Sequence, residues 1–309
     1  MSKFHVARSI NIAAPIEQVR TLLTDFTQWP YWSPWLIAEP DATINYNNKQ
    51  GEVGAKYDWE GKIVGSGSME ILNINDQQIE IQLAFITPFK SIAQVVFDLE
   101  SQGDETKITW NMFGKLPFFL FFMAEKMKRY IGMDYERGLN MLKDYIETGT
   151  VSSTLNIQGI IEQQGQQYIG IKNNCAIKDI GSVMPTDFKK LGDFFAENKL
   201  SIDGNPFAIY TEFNLKNQHT HFISVIPTNM DIDVNPPFIK GSTKTEQAIK
   251  VVHTGKYTYL NNAWAAAIMY SRAKKIKTKK SPVGMEFYLN DPQTTDPAEL
   301  ITEVLLPLN

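Results

Sequence analysis

An α+β protein built of two consecutive units is the fold that this chain of 309 residues predicts. Three observations carry that expectation. Between Gly54 and Asn111, short runs of β-type residues are separated by glycines and Asn-Asp or Gly-Asp turns, the mark of an antiparallel sheet. A long amphipathic stretch follows, Met123 to Glu147, with Ile131, Tyr135, Leu139, Leu142 and Ile146 on one helical face. Beyond Thr154, the order strand, helix, strand, strand occurs twice, which suggests a pseudo-twofold α+β unit.

The elements follow in order. Phe4–Ile12 alternates as a strand, and Pro15 opens a helix at a position where its missing N–H costs nothing. Val19, Leu22 and Leu23 form the apolar stripe of that helix. The segment Trp29–Trp35 holds two prolines, so it cannot be a long helix. Strand cores are expected near 54–62, 65–74, 78–86, 91–100 and 105–113, with Gly61, Gly65, Gly67, Asn75-Asp76 and Gly103-Asp104 as breaks. The long helix then packs across this sheet. Residues 148–154 are small and polar and read as a linker, giving domains at 1–148 and 155–309. The second domain should hold strands at 157–161 and 168–173, a helix at 185–198 and strands at 207–213 and 221–226. After these come a strand at 246–253, a helix at 258–275 and strands at 284–289 and 300–306.

Composition narrows the function. The chain is 43% hydrophobic and 21% charged, with a net charge of −4. Residues 1–150 hold 14 Lys/Arg against 19 Asp/Glu, and residues 151–309 hold 16 against 15. Neither half has the basic balance of a nucleic-acid-binding domain. The run Arg272–Lys280 reads as a solvated helix end, where lysines complement the helix dipole. The longest apolar cluster, Leu116–Ala124, is too short to span a bilayer, which takes about 20 residues. It reads as core or pocket lining, with lipid contact as the other option. One cysteine, Cys175, excludes an intramolecular disulfide, and the start of the chain lacks the apolar core of a signal peptide, so a cytoplasmic location is expected. Four scattered histidines with one cysteine do not form a zinc pattern, and no P-loop or nucleophile elbow is present. No metal and no cofactor is expected.

One carboxylate stands out. Glu286 lies in the run Met285-Glu-Phe-Tyr-Leu289. On a strand, Glu286 and Tyr288 share one face, while Met285, Phe287 and Leu289 share the other. Glu286 either meets solvent from an edge strand or points inward, where an unpaired charge is costly and a ligand could be its partner. Tyr210, Tyr257, Trp264 and Tyr288 are the aromatics that could surround it, and aromatic faces attract cations. In the first domain, Trp32, Trp35, Trp59, Trp110 and Phe113 are candidate cavity-lining residues, each equally readable as core.

Two resemblances sharpen these readings. The stretches Arg8–Val19, Asp25–Trp35, Trp59-Glu-Gly61, Gly65-Ser-Gly67, Thr106–Trp110 and Glu136–Lys143 resemble the SRPBCC superfamily, the START-like and polyketide cyclase-like helix-grip fold. That resemblance covers roughly residues 3–147. It implies an antiparallel sheet wrapped on a long C-terminal helix, with a cavity for apolar molecules, and no shared catalytic set. Gly204-Asn-Pro206, Tyr210, His253–Tyr257, Trp264, Glu286–Tyr288, Asp291-Pro292, Glu299–Glu303 and Leu306-Pro307 resemble the GyrI-like effector-binding domain of AraC- and MerR-type regulators. That resemblance implies that Glu286 faces an aromatic pocket for a cationic, apolar ligand. No helix-turn-helix segment accompanies it here, so sequence-specific nucleic-acid binding is not expected. The reading that results is a two-domain small-molecule binding protein, a ligand sensor without its own DNA-binding domain. A hydrolase using Glu286, assisted by Tyr288, and a regulator that reaches a protein partner when ligand binds are the alternatives.

Overall fold

The computed structural model describes residues 2–116 and 124–309. The chain forms two compact units, Met1–Val151 and Ser152–Asn309. Most of the apolar cluster expected at 116–124 lies outside the described residues. Among the described residues no helix is long and apolar enough to cross a membrane.

The first unit begins with β1 (Ser2–Ile12) and α1 (Ile16–Thr24), which buries Val19 and Leu23. Two 3-10 turns, Phe26–Tyr31 and Leu36–Ala38, follow where prolines forbid a longer helix. Six strands come next: β2 (Thr43–Tyr46), β3 (Lys56–Glu60), β4 (Ser66–Ile74), β5 (Gln78–Thr87), β6 (Ser91–Gln102) and β7 (Glu105–Leu116). The sheet order is β1-β7-β6-β5-β4-β3-β2, with neighbours antiparallel. The closing helix α2 (Ala124–Thr148) packs on β1 and β7 and buries Tyr135, Leu139, Leu142 and Ile146. This is the helix-grip arrangement. Gly67, expected as a break, instead stands inside β4 at a shift in the ladder. A Cβ there would fall 2.4 Å from both the Trp59 ring and the Ala84 carbonyl, so only glycine fits.

The second unit contains β8 (Ser153–Gln163), β9 (Gln167–Ala176), α3 (Ile180–Glu197), β10 (Phe207–Asn214), β11 (His219–Pro227), β12 (Phe238–Ser242), β13 (Glu246–Gly255), α4 (Asn261–Ala273), β14 (Gly284–Tyr288) and β15 (Ile301–Pro307). Its sheet order, β12-β9-β11-β10-β14-β15-β13-β8, reads the same way from both ends. The units β9-α3-β10-β11 and β13-α4-β14-β15 are the two halves of the pseudo-twofold. They meet where β10 runs antiparallel to β14, with Ile209 opposite Met285. On each side a proline stands three residues earlier (Pro206, Pro282) and a small residue one earlier (Ala208, Gly284). Tyr210 and Glu286 therefore occupy equivalent places. α3 starts at Ile180 rather than near Pro185, because Pro185 is accommodated inside the helix. The carbonyl that loses its proline partner belongs to exposed Gly181, which water can serve.

The sheet of this unit buries both faces. Phe207, Ile209, Val225, Met285, Phe287 and Leu305 form a cluster on one. Met184 of α3 packs with Ala208, Tyr210 and Phe222 on the other, with Trp264 of α4 against them.

Candidate ligand site around Glu286

Glu286 lies on a central strand and is only 5% exposed. The solvent-facing alternative is therefore excluded. Strand alternation puts Glu286 and Tyr288 on the face that also carries Tyr210, while Met285 and Phe287 fill the opposite cluster. Glu286 pairs with Ala208, and Tyr210 pairs with Gly284. These small partners leave room for the two large polar side chains to lean toward each other. A Cβ on Gly284 would sit 2.5 Å from the Trp264 ring, so the glycine is what lets the indole come down from α4 onto the strand.

Three neutral donors converge on the carboxylate. The Tyr210 and Tyr288 hydroxyls each donate to Oε2 at 2.8 Å, and Trp264 Nε1 donates to Oε1 at 2.5 Å. Among the described residues no Lys, Arg or His forms an ion pair with Glu286. Burial pushes its pKa above the ordinary carboxylate value, and the three hydrogen bonds oppose that shift without cancelling it. Burial, together with the nearby charge of Glu286, also drives the Tyr210 and Tyr288 phenols well above their usual range. Tyr257, 38% exposed, stands edge-on to Tyr288 with ring centres 5.9 Å apart. Its phenol is pushed up to about 12, first by burial and then by Glu286 and Asp291.

All five residues expected at this site are thus brought together: Glu286, Tyr288, Tyr210, Trp264 and Tyr257. Met184 was not anticipated. Its sulfur lies 3.0 Å from the Tyr288 hydroxyl, and it covers the site from α3 as Trp264 does from α4. The twofold order of elements is the signal that would have found it. Two open grooves, of about 350 and 370 Å3, lie elsewhere, and neither is lined by Glu286, Tyr210, Tyr257, Trp264 or Tyr288. The rings close over the carboxylate.

The first unit places its candidates differently. Trp32 and Trp110 are fully buried and Trp59 nearly so, within a packed aromatic core. Trp110 stacks on Tyr135 of α2 at 4.0 Å and on Phe97 at 5.0 Å, and Trp29 meets Trp32 at 4.8 Å. Trp35 is half-buried at the edge, where its Nε1 donates to Asp134 at 3.3 Å. Phe113 does not share this interior. It alternates with Trp110 and Met112 on β7, so it points to the outer sheet face, 43% exposed and stacked on His5 at 4.4 Å.

A second buried polar cluster was not foreseen. His253 Nε2 is 3.0 Å from Ser153 Oγ, which also accepts from Asn262 Nδ2 at 3.0 Å. Burial pulls the His253 imidazole down to about 4. Among the described residues no group of three or more His, Cys, Asp or Glu could hold a metal ion.

Comparison with known proteins agrees with this division. Residues 3–147 match the family described as polyketide cyclase / dehydrase and lipid transport, and residues 159–309 match the GyrI-like small molecule binding domain. The chain is a polyketide cyclase-like domain joined to a GyrI-like domain. No curated protein matches it. Several solved structures show a distant likeness. A protein from Mesorhizobium loti is 14% identical, with 48% of this chain and 100% of that one covered and a TM-score of 0.38. The Aha1 dimer from Colwellia psychrerythraea is 18% identical over 48% and 99%, with a TM-score of 0.36. EcmrR in its DNA complex is 16% identical over 61% and 69%, with a TM-score of 0.44. Both domains are thus of small-molecule binding type, and the GyrI-like domain carries the buried carboxylate.

Proposed function

We propose that the protein is a small-molecule binding protein whose GyrI-like domain takes a cationic, amphipathic ligand at Glu286. One observation carries the reading: a carboxylate inside an aromatic cluster, held by three neutral donors and by no cation of the described chain. Burying such a charge is costly unless it is compensated. A ligand cation would compensate it, and the faces of Tyr257, Tyr288 and Trp264 would add cation–π attraction of about 2 kcal/mol in a desolvated site. Because the rings close over Glu286, entry requires the half-exposed Tyr257 to swing aside first.

A bound cation favours the ionised carboxylate, so affinity rises as pH climbs through the raised pKa of free Glu286 and levels off above it. The test uses tetraphenylphosphonium as the apolar cation and triphenylphosphine oxide as its neutral counterpart, with thermal shift and calorimetry. The cation should raise the melting temperature of the wild type but not of Glu286→Gln, and the neutral compound should shift neither. Equal shifts for wild type and variant would remove Glu286 from the reading.

The polyketide cyclase-like domain is assigned an apolar ligand on its family match. Such a ligand would meet half-buried Trp35 before reaching Trp32 and Trp110. Trp32 Nε1 is buried without a hydrogen-bond partner among the described residues, and an acceptor oxygen on the ligand would satisfy it.

A second reading draws on the raised pKa of Glu286 beside two tyrosine hydroxyls: hydrolysis with Glu286 as general acid or base. Turnover of a p-nitrophenyl ester by the wild type and its loss in Glu286→Gln would support it. A wild type inert toward such esters would leave binding as the function.

A further inference from the structure

Four of the exposed large apolar side chains of the first unit gather at one end of its sheet. Phe89 is 80% exposed, Ile92 68% and Ile86 53%, and Phe113 borders them. Ile86 is the penultimate residue of β5, Ile92 is the second of β6, and Phe89 stands in the turn between the two strands. The ladder pairs Ile92 with Ala84 and Ala93 with Gly114, so Ile92 comes beside Lys115 of β7. Lys115 in turn faces Lys3 of β1. Lys90 completes the rim from the hairpin itself. Alternation puts Lys3, Lys115 and Ile92 on the same outer face as Phe113.

Charge is segregated along these strands. β1 contains no acidic residue, and the acid of β7, Glu105, stands at its far end. The nearest acids on β5 and β6, Glu80 and Asp98, also lie toward the opposite end. None of the three lysines makes an ion pair among the described residues. This basic, apolar corner belongs to a region that is acidic as a whole, with 14 Lys/Arg against 19 Asp/Glu in residues 1–150. Exposed apolar residues flanked by unpaired lysines on the β7 and hairpin side are complementary to the headgroups and upper acyl region of an anionic bilayer.

We infer that this corner docks the first unit on an anionic lipid surface, with Phe89, Ile86 and Ile92 entering the interface and Lys3, Lys90 and Lys115 meeting the headgroups.

The experiment is co-sedimentation of the full chain with vesicles of phosphatidylcholine alone and of phosphatidylcholine mixed with phosphatidylglycerol. Wild type should partition onto the mixed vesicles, scarcely onto the neutral ones, and less as salt rises. Reversal of all three lysines to glutamate should weaken partitioning by on the order of a hundredfold or more. Phe89→Ser with Ile92→Ser should also abolish it, while the thermal response to tetraphenylphosphonium stays as in wild type. The charge variant decides alone should the double serine variant misfold. Equal partitioning onto both vesicle types, no partitioning by wild type, or unchanged partitioning by the charge variant would each overturn the inference. Self-association of wild type that both variants lose, without vesicle binding, would assign the patch to a second copy instead.

Discussion

The two units collect the same side chains at their centres and do opposite things with them. In the first, Trp29, Trp32, Trp110, Phe97 and Tyr135 pack ring on ring, and the Trp32 indole N–H has no partner among the described residues. In the second, Tyr210, Tyr288 and Trp264 turn their polar atoms inward onto one carboxylate, and each donates to it. Aromatic content therefore does not make a site. The first cluster gains its energy from buried area and ring contact. The second gives up some of that gain to hold a charge, and the charge is what a ligand can recognise.

The largest test of this contrast lies in the first unit. Trp110→Ala should cost about 3–5 kcal/mol, because it removes the ring on which Tyr135 and Phe97 stack. Denaturant unfolding should show the early loss of one transition, while the cation response of the second unit survives. Loss of that response together with the first transition would mean that the two centres are not independent.

The second test concerns His253, which the fold keeps neutral. Its folded pKa of about 4 lies below the ordinary histidine value of 6.5. The unfolded chain therefore takes up the proton first as pH falls, and stability drops between about 6.5 and 4. The shift corresponds to about 3 kcal/mol. Unfolding measured across that range should show the slope in wild type and lose it in His253→Gln.

Tyr210→Phe comes next. It deletes one charge-assisted hydrogen bond, worth about 1.5–3 kcal/mol in favour of the ionised carboxylate. The Glu286 pKa should rise further, and the pH at which cation affinity reaches half its plateau should move upward with it. An unmoved midpoint would mean that Trp264 and Tyr288 suffice to hold the charge. The smallest effect belongs to Phe113→Ser, under about 1 kcal/mol, since that ring lies on the outer face; a larger loss by denaturant unfolding would return Phe113 to the core.

Much of the architecture was legible because burial leaves a period. The β4–β7 alternation and the α2 stripe gave both the strands and the helix that grips them. β2 and β12 escaped because both are short edge strands, without a buried face to impose alternation. The Glu286 and Tyr288 pairing on one face also followed from alternation, and the same rule applied to Trp110 and Phe113 would have separated them. Direction could not be read from the segment alone. That β14 is central depends on its pairing with β10, many residues away in the chain. Nor could the His253–Ser153–Asn262 cluster be read, since its members come from three separate elements.

The equivalence of Tyr210 and Glu286 limits what such a site can be. Two glutamates there would put like charges where one hydroxyl now donates to one carboxylate, and they would have to share a proton. Two tyrosines would leave no anion at all. A centre made from matching halves can host a single charge only by abandoning its own symmetry at that pair, so exchanging the two residues, rather than altering either alone, should turn the site to face α3 instead of α4.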